Sequence, residues 1–183
     1  HVVSNMSLGI RSIQINISVA QCMQQNLKEA ILPILQKYHI PTSMIVLELT
    51  ESTAINAPAL MEHHMKELGN AGISFAMDDY GTGNASSSIV LGVPMNEIKI
   101  DMSFIKGILN NEKQQMLVKN IVNFARSTNM KSCIEGVEDK SLQDYLRSFG
   151  ATWFQGYYYS KPVGEEQLKK LLLEEMYNKK DAS

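Results

Sequence analysis

The chain has 183 residues, a formal net charge of −2 and 44% hydrophobic residues, which is typical of one globular domain with a single core. This charge gives no electrostatic reason to expect a DNA or RNA polymer as partner, and no apolar run reaches the roughly 20 residues that span a bilayer, so we expect no direct membrane insertion. Cys22 and Cys133 have neither disulfide nor zinc spacing. They favour a reducing, cytoplasmic location, either free or as the cytoplasmic part of a membrane-anchored protein.

Six short apolar runs, rich in β-branched residues, recur along the chain and each ends on a polar residue. The runs are IQIN, IVLEL, ISFAMDD, EIKID, KSCIEG and TWFQG. Their polar ends are Asn16, Glu48, Asp78 with Asp79, Lys99 with Asp101, Glu135 and Gln155. The gaps between these positions each leave room for a strand and one covering helix. The pattern predicts a parallel β/α barrel, in which residues that follow the strands meet at one face.

Apolar residues at helical spacing predict the covering helices. These helices are expected over 21–38, 56–71, 105–128, 141–149 and 165–177. Ser141 is a candidate N-cap of the fourth helix. The DDYGTGNASSS segment is rich in glycine and small polar residues and predicts a functional loop, although a simple turn is the alternative. The opening HVVSNMSLGI has no start methionine and is typical of a helix end, so we expect a piece of a longer protein.

The polar strand ends favour a divalent metal site. A single such residue is often just solvated or caps the next helix, so only their recurrence is informative. Crowded carboxylates repel one another unless a positive charge holds them. Asn16, Glu48 and the pair Asp78 and Asp79 offer oxygen ligands, which suit Mg²⁺ or Mn²⁺ rather than zinc. The four histidines have no metal-binding spacing and are predicted to lie at the surface.

With these motifs the sequence resembles the EAL domain family, the bacterial phosphodiesterases that linearise cyclic di-GMP. The resemblance rests on INIS, LELTES, MDDYGTG, the KID of EIKID, IEGVED and FQGYYYSKP, in the family's order and spacing over essentially the whole chain. It implies a TIM-type (β/α)8 barrel and a single domain over residues 1–183. The family's Glu-Ala-Leu motif lies on a strand before INIS. This chain lacks that motif, so we expect an N-terminally truncated barrel with six of eight strands.

The resemblance also implies how the metals are held. Asn16, Glu48 and Asp78 would be metal ligands, and Asp79 would serve a second ion. Glu51 would anchor the DDYGTG loop that positions this second ion. Two ions, Mg²⁺ or Mn²⁺, are expected in the intact domain. The missing Glu-Ala-Leu segment would supply a further ligand, so we expect the isolated chain to be a weak enzyme.

The remaining implied residues concern the substrate. Lys99 would hold the attacking water or phosphate, and Glu135 would be the general base or a metal-linked carboxylate. Asp101, Glu138 and Gln155 would complete the pocket. The implied reaction is hydrolysis of cyclic di-GMP to linear pGpG. The alternatives are a catalytically inactive cyclic di-GMP receptor, a regulatory interaction module, and an enolase-like barrel, which the DDYGTG and EGVE motifs make less favourable.

Two partners follow from this interpretation. We expect an upstream sensor or GGDEF domain in the longer protein. We also expect a homodimer, because a barrel without its first two strands has unpaired backbone groups on both outer strands.

Overall fold

The computed structural model describes residues 8–50, 58–82 and 94–180. Three expectations from the sequence lie outside these residues. They concern the helix end within residues 1–7, the anchoring role of Glu51, and most of the loop that begins with DDYGTG.

Strands and helices alternate along the described residues. Strands β1 to β6 are Ile13–Asn16, Ile45–Thr50, Ser74–Tyr80, Glu97–Ile100, Lys131–Ile134 and Trp153–Phe154. Helices α1 to α6 are Val19–Cys22, Leu27–Lys37, Pro58–Asn70, Glu112–Ser127, Lys140–Arg147 and Glu165–Lys180. Short 3₁₀ turns occupy Thr42–Met44, Met102–Phe104 and Ile108–Asn110. All six predicted strands are present, whereas the single helix predicted over 21–38 is two helices.

Two helices begin at side-chain caps that the apolar pattern did not locate. Helix α4 begins at Glu112 because the Asn111 side chain accepts a hydrogen bond from the helix backbone, so the helix predicted from residue 105 starts later. Asp139 caps α5 by accepting from the backbone N–H of Leu142 at 2.8 Å. The predicted Ser141 cap is wrong, since its hydroxyl instead donates to Asp139 at 2.6 Å.

The six strands form one parallel sheet in the order β1 to β6. Successive side chains of a strand point to opposite faces, and here one face is apolar and the other polar. The apolar face carries buried residues that form the core under the helices, among them Ile45, Leu47, Leu49, Phe75, Met77, Ile98, Ile100 and Ile134. This arrangement confirms the predicted α/β barrel class, with the polar strand positions on the interior face.

The sheet curls around its polar face. The Gln14 side chain on β1 donates to the Glu97 carboxylate on β4 at 3.0 Å. In a flat sheet these two strands would lie about 14 Å apart, since neighbouring strands are spaced by about 4.8 Å. The contact therefore requires a curved sheet, an open half-barrel. Its inner side holds a cavity of about 760 Å³ lined by Gln14, Lys131 and Trp153, among others.

No helix in the described part of the chain has the length and apolar character needed to cross a membrane.

Candidate active site

Four of the predicted site residues meet at the carboxyl ends of strands β2 to β5. The Lys99 ammonium nitrogen, Nζ, lies 2.8 Å from Oε1 of Glu48 and 2.9 Å from Oδ1 of Asp78. It lies 2.8 Å from Oε1 of Glu135 as well. Glu48 and Lys99 are buried, and the two other carboxylates are partly exposed. The parallel strands thus bring residues that are far apart in sequence to one point, as the sequence predicts.

The electrostatics of this cluster shift two pKa values. Burial lowers the pKa of Lys99, but attraction to the three carboxylates outweighs burial, so its pKa lies above the usual value. For Glu135, burial raises the pKa, Lys99 opposes this increase, and the negative charges of Asp78 and Glu48 add to it. The net effect raises the pKa of Glu135. The lysine therefore stays charged while Glu135 accepts a proton more readily than an exposed glutamate.

A β-bulge places two consecutive aspartates beside this cluster. The pairing of β3 with β4 shifts after Met77, so that Asp78 and Asp79 together lie opposite Lys99. Asp79 has a φ of 53°, in the left-handed region that costs energy for a residue with a side chain. Carboxylate oxygens of Asp78, Asp79 and Glu135 lie within 4.8 Å of one another. The strained backbone thus directs both aspartates to the same side as Glu135.

The donor set fits a divalent cation. All of its members offer carboxylate oxygens, the ligands that Mg²⁺ and Mn²⁺ prefer. Two buried oxygens, Glu48 Oε1 and Asp78 Oδ1, approach Lys99 at ion-pair distance but accept no hydrogen bond of acceptable angle from the described residues. A spherical ion satisfies such oxygens better than an ammonium group, whose N–H bonds are directional.

Asn16 lies at the edge of this arrangement. It ends β1 and pairs with Glu48 of β2 in the sheet register. Its side chain is exposed. The register therefore places Asn16, whose side chain has an amide oxygen, on the strand that neighbours Glu48 and at the same end of the sheet.

Three further residues, Asp101, Glu138 and Gln155, were predicted to complete the pocket. The Asp101 side chain accepts a hydrogen bond from the Ser103 backbone at 2.9 Å and caps a 3₁₀ turn. Glu138 and Gln155 are exposed in the loops after β5 and β6. No contact of these three side chains with the Lys99 cluster is found among the described residues.

A backbone contact holds the loop that carries Glu135. This contact was not predicted from the sequence. Val137 donates its backbone N–H to the carbonyl of Gln155, and its own carbonyl accepts from Tyr158, both at 3.0 Å. A Cβ atom on Gly156 would overlap the Val137 backbone. The glycine that follows the polar residue in both EGVED and FQGYYYS is the sequence signal that could have indicated this close approach.

One histidine contradicts the surface prediction. His63 and His39 are exposed, but His64 on α3 is only 1% exposed. Neither of its ring nitrogens has a hydrogen-bond partner among the described residues. His64 lies on the buried stripe that contains Met61, Met65 and other core residues. It is a core residue, and the group of three metal-binding side chains found among the described residues does not include it.

Comparison with models of protein families decides the family. The model described as the EAL domain matches residues 2–162. The chain belongs to the EAL domain family. This finding confirms the resemblance read from the motifs and places the Lys99 cluster in an EAL domain, the family of cyclic di-GMP phosphodiesterases.

Two curated relatives of this EAL domain are several times longer than the chain. The chain is 31% identical over 157 residues to MucR of Pseudomonas aeruginosa, described as a bifunctional diguanylate cyclase and cyclic di-GMP phosphodiesterase, covering 86% of the chain and 23% of that protein. It is 32% identical over 150 residues to the cyclic di-GMP phosphodiesterase PdeB of Shewanella oneidensis, covering 82% of the chain and 18% of PdeB. The chain therefore spans about a fifth of the length of these two relatives.

Solved structures share the fold of this EAL domain. The structure of the PaMucR phosphodiesterase in complex with c-di-GMP has a TM-score of 0.80 and 30% identity, and the match covers 86% of this chain and 64% of that chain. BlrP1 of Klebsiella pneumoniae, solved with manganese and cy-diGMP, has a TM-score of 0.81 at 23% identity, with 88% and 42% coverage. These matches support the barrel architecture.

Proposed function

We propose that this EAL domain hydrolyses one phosphodiester bond of cyclic di-GMP to give linear pGpG in a reaction that depends on Mg²⁺ or Mn²⁺. The observation that carries the proposal is the meeting of Glu48, Asp78 and Glu135 around Lys99, with Asp79 alongside. An EAL domain with oxygen ligands, a fixed cation and a carboxylate of raised pKa at one point has the parts that phosphodiester hydrolysis requires.

The carboxylates would hold the metal ions. Asp78, Asp79 and Glu135 can place oxygens around one ion, and the register puts Glu48 and Asn16 at the adjoining strand ends. When bound, divalent ions lower the pKa of water and neutralise charge on a phosphate. The proposed ligands are Asn16, Glu48, Asp78 and Asp79, and Glu51 has the proposed role of anchoring the loop after β3.

Glu135 has the proposed role of general base. A base works best when its pKa lies near the working pH, and burial moves the pKa of Glu135 in that direction. Before any metal binds, its carboxylate contacts Lys99 at 2.8 Å. The backbone contact between Val137 and Gly156 restrains the loop that carries it. Glu135 would therefore be restrained in position when it accepts a proton from the attacking water.

Lys99 has the proposed role of binding the scissile phosphate or the attacking water. Its raised pKa keeps it positively charged, and its placement on β4 puts that charge among the carboxylates that would hold the ions. Asp101, Glu138 and Gln155 are proposed to contact the nucleotide outside this centre. Glu138 and Gln155 are exposed and Asp101 is partly exposed, in the loops that follow β5, β6 and β4, and this supports contact with a ligand that approaches from the open face.

The longer protein is proposed to join this domain to an upstream sensor or GGDEF domain. The chain covers 23% of MucR, whose description names both a diguanylate cyclase and a phosphodiesterase. That relative supports the proposal that the remaining length holds a second signalling activity.

The test is an assay of cyclic di-GMP turnover with Mg²⁺ and with Mn²⁺, followed by chromatography for pGpG. It is made on the chain and on the longer protein, with Asp78→Asn as the inactive control. We expect pGpG to accumulate in the longer protein with either metal and to disappear in the variant. A folded longer protein that binds cyclic di-GMP but forms no pGpG would instead support the receptor alternative, and a protein that binds none would contradict both.

A further inference from the structure

Lys99 occupies the point where the carboxylates converge. Its Nζ touches one oxygen each of Glu48, Asp78 and Glu135 at 2.8 to 2.9 Å, and its side chain is 5% exposed. Asp78 and Glu135 also belong to the group whose oxygens can surround one metal ion. The ammonium group and a metal ion therefore compete for the same two carboxylates.

We propose that Lys99 acts as an internal cation that closes the metal site in the metal-free protein, and that metal binding displaces its ammonium group from Asp78 and Glu135. The inference rests on the proposed function, because it assigns this cluster to Mg²⁺ or Mn²⁺. Lys99 thereby controls the entry of a metal ion into the site.

Electrostatics favours two exclusive states of the site. Without any cation, the carboxylates of Glu48, Asp78 and Glu135 repel one another in a partly desolvated environment, which destabilises the fold. With both cations present, an ammonium group within 3 Å of the ligand oxygens and a divalent ion on the same oxygens repel each other strongly. Either Lys99 or the metal ion balances the negative charge of the carboxylates. Both together repel each other at the same oxygens, so that state is less stable.

Displacement of Lys99 has a consequence for substrate binding. An ammonium group that no longer contacts its carboxylates is free to bind an anion such as the phosphodiester of a cyclic dinucleotide. Metal binding therefore prepares the lysine for phosphate, and phosphate binding favours the displaced lysine. By linkage, the metal and the nucleotide each increase the affinity of the other by the same factor.

The test compares Mn²⁺ binding by the wild-type chain, Lys99→Met and Lys131→Met in the absence of nucleotide, using electron paramagnetic resonance of free Mn²⁺. Methionine keeps the length of the side chain and removes its charge. Lys131 begins the neighbouring strand β5 at the opposite end of the sheet, where it lies over the Trp153 ring, so it is a matched control. We expect Lys99→Met to bind its first Mn²⁺ at least about tenfold more tightly than wild type, and Lys131→Met to match wild type.

Equal or weaker Mn²⁺ binding by Lys99→Met, with binding retained by wild type, would overturn this inference and leave the proposed metal site intact. Absence of Mn²⁺ binding in wild type and both variants would overturn the metal site itself. The two failures are therefore distinguishable.

A second measurement keeps the test valid if Lys99→Met unfolds without metal. In wild type, reductive methylation of lysines followed by mass spectrometry measures the accessibility of Lys99. We expect Lys99 to be protected without metal and labelled at saturating Mn²⁺, while Lys140, whose side chain is 70% exposed, is labelled equally in both conditions. Protection of Lys99 that persists at saturating Mn²⁺ would contradict its displacement.

Discussion

One ammonium group faces three carboxylates at the centre of the site, and these carboxylates are not equivalent. Glu48 is buried at the end of β2, whereas Asp78 and Glu135 are partly exposed and lie close to Asp79. Burial raises the pKa of Glu135. The surroundings of Glu135 therefore favour the acceptance of a proton, in keeping with its proposed role as general base.

Glu135→Gln tests this assignment in the longer protein. The substitution keeps the shape of the side chain and removes its ability to accept a proton. We expect turnover of cyclic di-GMP to fall by at least about 100-fold, the scale at which loss of a positioned base is felt, with a smaller change in nucleotide affinity. Glu112→Gln, the same change at an exposed position on α4, should leave turnover unchanged. Turnover near the wild-type rate in Glu135→Gln would show that another group is the base.

His64→Leu tests the energetics of a buried polar group. Both ring nitrogens of His64 lack a hydrogen-bond partner among the described residues, and an unsatisfied buried group costs about 1 to 3 kcal/mol. Leucine has a similar volume and suits the surrounding core, so we expect the unfolding free energy in urea to rise by about 1 kcal/mol. His63→Leu is the control, because His63 is exposed beside Glu67 at 3.3 Å. Destabilisation by His64→Leu would indicate a bound water or another partner at the ring.

The sequence predicted which residues meet but not how they are held. Glu48, Asp78, Lys99 and Glu135 follow apolar runs, and parallel strands bring such positions together, so their meeting follows from topology alone. The burial of His64 depends on which face of α3 packs against the sheet. Two adjacent histidines look alike in sequence, and only packing separates the exposed one from the buried one.

At the scale of elements, strands were predicted better than helix ends. A β-branched run that stops at a polar residue marks a strand almost to the residue, as β1 over Ile13–Asn16 shows. Helix starts depend on a single capping side chain, and Asp139 rather than Ser141 has that role in α5. The bulge at Asp79 could not be predicted, because it exists only in the register between β3 and β4.

Gly156→Ala tests the contact between the loops after β5 and β6. The added methyl group would overlap the Val137 backbone, so one loop must move. We expect the unfolding free energy to fall by about 2 kcal/mol or more, as in other overpacked sites, and cyclic di-GMP turnover to fall because Val137 lies two residues from Glu135. Gly164→Ala is the control, since a methyl group there meets no atom within 4 Å. Equal stability of the two variants would show that the loops yield without cost.

At the scale of the whole molecule, the polar interior of the half-barrel makes stability depend on pH. Burial raises the pKa of Glu97, while Gln14, Lys131 and Lys99 lower it in part. A carboxyl group whose pKa is raised by folding destabilises the fold above its unfolded pKa, and this cost disappears as the pH falls through the raised pKa.

Glu97→Gln tests this dependence. Glutamine cannot ionise, and its oxygen can still accept the hydrogen bond from Gln14. We therefore expect the variant to exceed wild type in unfolding free energy near pH 8 and this advantage to shrink toward about pH 4, where glutamate protonates. Glu62→Gln is the control and should change the unfolding free energy in the opposite direction, because a hydrogen bond from Lys66 lowers the pKa of Glu62. A difference between Glu97→Gln and wild type that does not vary with pH would exclude Glu97 as the titrating group.

The two outer strands of the sheet are where we expect the chain to associate with another copy of itself. Among the described residues, β1 pairs with β2 alone and β6 pairs with β5 alone, so each presents a row of backbone donors and acceptors. Ile15 on β1 is 45% exposed and Trp153 on β6 is 42% exposed. Unpaired edges with exposed apolar side chains favour pairing with another chain.

We therefore expect the 183-residue chain to form a homodimer through these outer strands. Light scattering over a concentration series should give a mass that rises to twice the 20.5 kDa of the chain, with slow hydrogen exchange of β1 in the dimer. Ile15→Lys places a charge on the outer strand and should weaken association by at least about tenfold, because lysine on an edge strand opposes pairing. Ile34→Lys, at an exposed position on α2, should associate like wild type. A chain that remains monomeric at all concentrations, with β1 protected from exchange, would show that the open edge is covered within one molecule.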